Sequence, residues 1–391
     1  MTRRLACLTV LALAVPASAS GQSLFNAAGL GVPADAADAR TRALGGVGLG
    51  LKGPVLLSSD PAAAADFLLP SVTLTAQPSW VDFGRSDNGE AGSFQGTRFP
   101  AMGIAYPTLK GVVASLSFES VLDQRYEASW ASTVNFGSTP VEVRDEFVSI
   151  GGVSQLRVGL ARRLSRGLSV GVSASRYTGS VTRRLVRDFG AGVDTTVVEP
   201  FQAGGFWGYS GMALTGGAAL DVGTVARIAG SVTWSGGLDA TASDDTEGDS
   251  RSYDLPLQFR IGATAILAPG LSLNAGLSTA DWSTLNTGLI PPTSGSAVTS
   301  FGAGVELARA RVLGRNAPLR LGYRRTELPF AMGSGTPVET VWTGGLGLNL
   351  SQIGELVMAG LDLSVERGDR SDSLLDERFW RGTLTVRVSG N

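Results

Sequence analysis

Leu255-Pro256-Leu257-Gln258-Phe259-Arg260-Ile261-Gly262-Ala263-Thr264-Ala265-Ile266-Leu267 is the stretch that decides the fold class. One parity carries Leu255, Leu257, Phe259, Ile261, Ala263, Ala265 and Leu267. The other carries Pro256, Gln258, Arg260, Gly262, Thr264 and Ile266. Successive side chains of an extended chain point to opposite faces, so this reads as a strand with one apolar face. A soluble sandwich would place Lys and Glu on its other face. Here that face holds small and polar residues with Arg260 among them, which suits a barrel lumen.

The pattern recurs. Val357, Ala359, Leu361, Leu363 and Val365 oppose Met358, Gly360, Asp362, Ser364 and Glu366. Ala226, Ile228, Gly230, Val232 and Trp234 oppose Arg227, Ala229, Ser231 and Thr233. Leu168, Val170, Val172 and Ala174 oppose Ser169, Gly171, Ser173 and Ser175. Fourteen such strands are predicted, over 71–83, 98–107, 111–130, 146–162, 167–188, 205–221, 224–240, 252–267, 270–286, 297–310, 317–329, 338–350, 356–367 and 377–389. The third and fifth are long enough to protrude from a membrane or to contain a break.

Connections alternate in length. Tight turns such as Thr108-Leu109-Lys110, Asp221-Val222-Gly223 and Ala268-Pro269-Gly270 follow most even strands; Arg311–Asn316 is a longer turn. Longer polar loops follow most odd strands: 85–97, 190–204 and the acidic 240–250, the last expected to be a solvated loop. Short turns on one side and long loops on the other is the outer-membrane arrangement, with both termini on the periplasmic side. Trp80, Trp130, Trp207, Trp234, Trp282, Trp342 and Trp380 sit near strand ends and are expected to form an interfacial girdle.

Composition narrows function. The chain has 391 residues and a formal charge of −2, so it has no basic face for nucleic acid. It has no histidine, the commonest general base and metal ligand, and no paired carboxylates stand out. Neither an enzyme nor a cofactor or metal site is expected. Residues 1–22 read as a signal peptide: Arg3 and Arg4, an apolar Leu5–Val15, then Ala17-Ser18-Ala19. Cys7 would leave with it, so no disulfide or thiol chemistry is expected.

Residues 23–70 lack strand alternation and are rich in Gly and Ala. Gly45, Gly46, Gly48 and Gly50 invite a phosphate-loop reading, but the following Lys-Ser/Thr helix is missing. A small-residue plug inside the lumen fits better, with Ala43, Leu44, Gly45, Gly46, Asp60, Pro61 and Ala62 as its marked residues. Gly45 and Gly46 would supply backbone freedom. Asp60 would cap a helix or pair with a lumen arginine. The expected organisation is signal peptide 1–22, hatch 23–70 and transmembrane barrel 71–391.

Ala39 to Phe67, with its Gly-rich stretch and Asp60-Pro61-Ala62, resembles the N-terminal hatch of FadL/TodX-type outer-membrane hydrophobic-compound transporters. The family pattern there is Ala-x-Ala-Leu-Gly-x-Gly-Gly followed by Asn-Pro-Ala, so Asp60 stands in place of Asn. Asp254–Gly262 leading to Asp281-Trp282-Ser283, and Leu319–Arg324 with Leu328-Pro329-Phe330, also look like that family. The chain departs from barrel insertion signals in ending Val386-Arg387-Val388-Ser389-Gly390-Asn391, without a terminal aromatic. The resemblance implies a fourteen-stranded all-β barrel with an N-terminal lumenal hatch. It implies passive uptake of hydrophobic small molecules such as long-chain fatty acids or aromatic hydrocarbons. The alternative is a PorV-like barrel that binds a protein partner in secretion or envelope assembly. Outer-membrane lipid, lipopolysaccharide and the barrel assembly machinery are the further expected partners.

Arg157, Arg227, Arg260, Arg320, Arg324, Glu306 and Asp362 share the lumen parity, as do Glu366 and Arg387. Either one arginine receives a substrate carboxylate, or the set forms ion pairs that hold barrel and hatch together. Mixed signs favour the second reading for any single residue, because an unpaired buried charge is costly.

Overall fold

The period-two pattern is satisfied by a sheet without a free edge. The computed structural model describes residues 23–46, 48–86, 89, 91–136, 139–189, 201–285, 295–312, 315–354 and 356–390. The predicted signal peptide and the loop core 190–200 lie outside them. Fourteen antiparallel strands form the wall. They are β1 (Ser71–Arg85), β2 (Ala91–Pro107), β3 (Val112–Asp123, resuming as Tyr126–Phe136), β4 (Thr139–Arg163), β5 (Leu168–Phe189), β6 (Phe201–Val222) and β7 (Ala226–Ala242). There follow β8 (Arg251–Asp254, resuming as Gln258–Ala268), β9 (Leu271–Asp281), β10 (Ala297–Leu307), β11 (Leu319–Glu327), β12 (Val338–Ile353), β13 (Leu356–Ser371) and β14 (Leu375–Ser389). Each pairs with its neighbour in sequence. β14 pairs with β1 from Leu375↔Arg85 to Ser389↔Ser71, which closes the barrel.

The wall faces as the parity predicts. Val172, Leu214, Phe259, Ile261, Leu321 and Val365 are exposed on the outside, while Ser173, Thr215, Thr264, Arg320 and Glu366 are buried inside. A continuous exposed apolar band is stable only against hydrocarbon. The register sets Tyr323, Trp342, Arg367, Trp380, Trp80 and Gln95 side by side across six strands. Trp80, Trp342 and Trp380 are exposed there, and Arg367 lies over the Trp380 ring. Trp282 departs from the expected girdle. It is buried inside and meets Phe330 edge-on at 5.8 Å.

The tight turns fall where expected; Gly223 and Gly270 carry φ of 55° and 87°, which a side chain would resist. The outer ends run further than the sequence suggests. Residues 91–97, read as loop, continue β2, and 131–136 and 139–145 extend β3 and β4 as paired strands. Polar strand residues beyond the membrane lose the alternation that marks the span, but their backbone ladder continues. The short pair Arg311–Val312 and Arg315–Asn316 occupies the longer turn.

Two strands are interrupted. In β3 the Asp123 carboxylate accepts from the Arg125 N–H at 3.1 Å, which turns the backbone out of the ladder at Gln124. Val32–Pro33 pairs with Asp123 and Leu122 at this break. β5, equally long, is continuous. β8 breaks at 255–257, where Pro256 has no N–H to give. Leu255 consequently turns into the lumen rather than toward lipid, and is buried with Leu238 and Trp282.

Leu363 sits mid-strand on the lipid face, beside Leu346 and Leu384. Leu363→Arg is expected to cost about 2–4 kcal/mol in vesicle refolding titrations, against about 0–1 for Leu356→Arg at the rim of the same strand. Equal costs would show the register to be wrong. Ser364 would be a poor inner control, because it is buried.

Candidate functional site

The lumen is occupied by the chain before β1. Leu24–Ala27 and Pro61–Asp66 form 3-10 turns, and Ala39–Ala43 one short helix. Asp38 caps that helix, accepting from the Thr41 N–H at 2.7 Å. Asp60 caps 61–66, accepting from Ala63 N–H at 3.1 Å, and also accepts from Gly50 N–H at 3.3 Å. Of its two expected roles, capping is the one with direct bonds. Burial pushes the Asp60 carboxyl up despite those bonds. An Asn there would keep the acceptor without the buried charge, which rationalises the Asn of the FadL/TodX hatch pattern.

Small wall residues let this segment seat closely. A Cβ on Gly304 would overlap the Leu44 backbone, one on Gly262 would overlap Leu49, and one on Gly171 would overlap Pro61. Gly46, at φ 81°, makes room for the Arg324 guanidinium. Wall hydroxyls complete the backbone: Thr343 donates to Ala43 O at 2.9 Å, and Ala39 N–H donates to the Thr385 hydroxyl at 2.9 Å.

Every predicted lumen charge lies inside, and most are paired. Arg157 meets Glu119 at 2.7 Å and donates to Leu57 O at 3.1 Å. Arg227 meets Asp66 at 2.6 Å. Arg320 lies between Glu306 at 3.4 Å and Asp362 at 2.5 Å, and Arg40 reaches Glu306 at 3.0 Å. Arg324 joins Glu339 at 2.8 Å to Glu366 at 3.2 Å. Glu366 also receives Arg42 at 3.7 Å and Arg381 at 3.4 Å. Arg370 links Glu339 at 2.7 Å to Glu377 at 3.1 Å, and Glu377 accepts from Ser23 and the Leu24 N–H. Arg387 donates to Pro54 O at 2.9 Å. Arg260 differs: among the described residues it donates to Thr233 at 3.3 Å and Gln258 at 2.5 Å, both neutral.

Sequence reasoning missed Arg42, Glu119, Glu339, Arg370, Glu377 and Arg381. Arg381 and Glu377 share the parity of Arg387, so that signal was available. Arg370 lay beyond the predicted end of its strand.

Two adjoining cavities of about 120 and 150 Å³ remain beside the segment. Pro33, Asp35, Gln258, Arg260, Trp282 and Arg324 line both. On their outer side Leu122, Tyr209, Leu238 and Phe330 form an apolar cluster. The wall itself opens nearby. The β2–β3 ladder runs from Pro107↔Val113 only to Ala101↔Glu119. Beyond it β2 stays with β1 and β3 stays with β4, up to Ala91↔Gly84 and Phe136↔Thr139. A cleft of about 850 Å³ fills this seam, from Leu24 and Ala27 inside to the exposed Trp130. Phe83 stacks on Phe94 at 5.0 Å, and Tyr126 on Phe147 at 5.3 Å, along it.

A closed, apolar-belted barrel with chain packed in its lumen and a seam in its wall defines a class: the outer-membrane barrels with an occupied lumen. Within that class the fold is that of the FadL/TodX-type hydrophobic-compound channels. The chain is similar to the Ralstonia pickettii toluene transporter TbuX, at 16% identity over 94% of this chain and 100% of that one, with a TM-score of 0.59. It is similar to a Pseudomonas aeruginosa FadL homologue, at 13% identity, 93% and 100% coverage and a TM-score of 0.63. It is similar to the P. putida toluene transporter TodX, at 13% identity, 93% and 99% coverage and a TM-score of 0.57. No family model and no curated protein matches the sequence.

Proposed function

We propose that this chain is an outer-membrane channel for passive uptake of small, largely hydrophobic molecules, with residues 23–70 as its hatch and residues 71–391 as its barrel. The seam between β2 and β3 carries the reading. The β2–β3 pairing ends at Ala101, below the level of Trp80, and the cleft beyond it is lined by aromatic rings and reaches the N-terminal segment at Leu24 and Ala27. An apolar solute gains by leaving water for such a surface. The paired lumen charges fix the hatch and exclude bulk water. The similar structures include two toluene transporters and a FadL homologue, which agrees with an apolar cargo. The predicted signal peptide would deliver the chain, and lipopolysaccharide would surround it.

The test uses intact cells, because a plain phospholipid bilayer is no barrier to such solutes. Cells producing the chain should take up labelled toluene several-fold faster than vector controls. Ser93→Cys and Ser129→Cys, both lining the seam and bridged by a bis-maleimide, should slow it. Beyond Cys7 the chain has no other cysteine to react. Uptake equal to the control, with heat-modifiable barrel present in the outer membrane, would rule the channel out.

A further inference from the structure

The cavities beside the hatch are lined about equally by polar and apolar surface, which suits neither a pure hydrocarbon nor open water. The lining of the first holds six arginines against four carboxylates. Its other five arginines, Arg42, Arg98, Arg324, Arg370 and Arg381, each have a carboxylate within 4.0 Å. Arg260 has none among the described residues; its bonds go to the Thr233 hydroxyl and the Gln258 amide oxygen. Its guanidinium lines both cavities, and Trp282 presents an aromatic ring to the same space. Asp35 also faces it, but Arg42 lies 4.0 Å from that carboxylate and Arg324 lines the same walls.

We infer that the two adjoining cavities form a binding site for a one-ring aromatic carboxylate, with Arg260 receiving the carboxylate and Trp282 the ring. This rests on the lumen being the transport path. Size sets the ring count: each cavity, at about 120 and 150 Å³, accommodates no more than one benzene ring. A long acyl chain would have to displace packed side chains. Charge sets the head group. A guanidinium and a carboxylate form two parallel charge-assisted hydrogen bonds, stronger than the neutral bonds Arg260 makes now. A hydrocarbon in the same place would cover polar groups without replacing their bonds.

Calorimetric titration of the purified, detergent-held chain with benzoate and with benzyl alcohol tests this. The wild type should prefer benzoate by roughly tenfold, the size of one charge-assisted hydrogen bond. Arg260→Met should abolish the preference, and Arg260→Lys should retain part of it. Heat-modifiable mobility identifies folded variants. If Arg260→Met does not fold, the wild-type preference and its reduction in Arg260→Lys decide. Equal wild-type affinities, or a preference that survives Arg260→Met, would overturn the site. The two readings fail separately. Benzoate preference without uptake into cells would remove the channel and leave the site, whereas toluene uptake without benzoate preference would do the reverse.

Discussion

Deleting residues 24–67 is expected to leave an inserted barrel that conducts small ions freely, while the intact chain stays nearly closed in planar bilayers. Barrel closure does not depend on the deleted segment, since β14 pairs with β1 along their length. What the segment supplies is filling. Leu44, Leu49 and Ala62 are almost fully buried against wall residues such as Gly304, Gly262 and Ala219, and Leu51 and Leu57 pack with Val55 inside the segment itself. Without them the glycine-lined inner wall would face water. Arg157 would lose Leu57 O but keep Glu119, and Arg320 would keep Glu306 and Asp362. Arg227 would lose Asp66 and be rescued by water entering the lumen. The barrel should therefore remain heat-modifiable. Gly304→Leu is the graded form of the same experiment, because its side chain would meet the Leu44 backbone and lift that part of the segment. Conductance of the deletion no greater than wild type would show that the lumen is closed by other means.

How much of this was legible in the sequence follows from what periodicity can carry. All fourteen strands could be counted, because each crosses hydrocarbon and must alternate there. The inner faces of Arg157, Arg227, Arg260, Arg320 and Arg324 followed from the same parity. The outer extensions of β2, β3 and β4 were not legible, since beyond the hydrocarbon their outer faces carry polar residues such as Ser93 and Arg144, and the apolar period is lost. Of the two breaks only one was invited, by the length of the third strand; Pro256 reads as an ordinary inward position of a continuous strand, because the alternation around it continues on both sides. Pairing lay beyond one-dimensional reading. Glu119 with Arg157, or Arg42 with Glu366, joins residues brought together only by strand register and by the path of the N-terminal segment. The same holds for Arg260, whose lack of a carboxylate partner appears only once every other pair is placed.

Glu366 is where those pairs converge, and Glu366→Ala should be among the most damaging single changes in the lumen. Its carboxylate is fully buried between Arg42, Arg324 and Arg381 at 3.7, 3.2 and 3.4 Å. After its loss Arg324 keeps Glu339 at 2.8 Å and Arg42 keeps Asp35 at 4.0 Å, but Arg381 has no other carboxylate within 4.0 Å among the described residues. A buried guanidinium left without its counter-charge costs about 3–5 kcal/mol. Because Arg42 belongs to the lumen segment and the others to β11 and β14, the loss should also loosen the hatch. Urea titration in lipid vesicles should show the destabilisation, and planar-bilayer recordings should show more frequent openings. Arg381→Met in the Glu366→Ala background should recover a substantial part of the stability, since it removes the uncompensated charge rather than a contact. Breaking the exposed Arg378–Asp369 pair, 3.7 Å apart on the outer surface, should produce no measurable change. If Glu366→Ala behaves like that surface pair, the lumen network holds neither barrel nor hatch in place. If the second substitution adds to the damage instead of relieving it, packing around Phe379, over which Arg381 lies at 4.6 Å, outweighs the electrostatics.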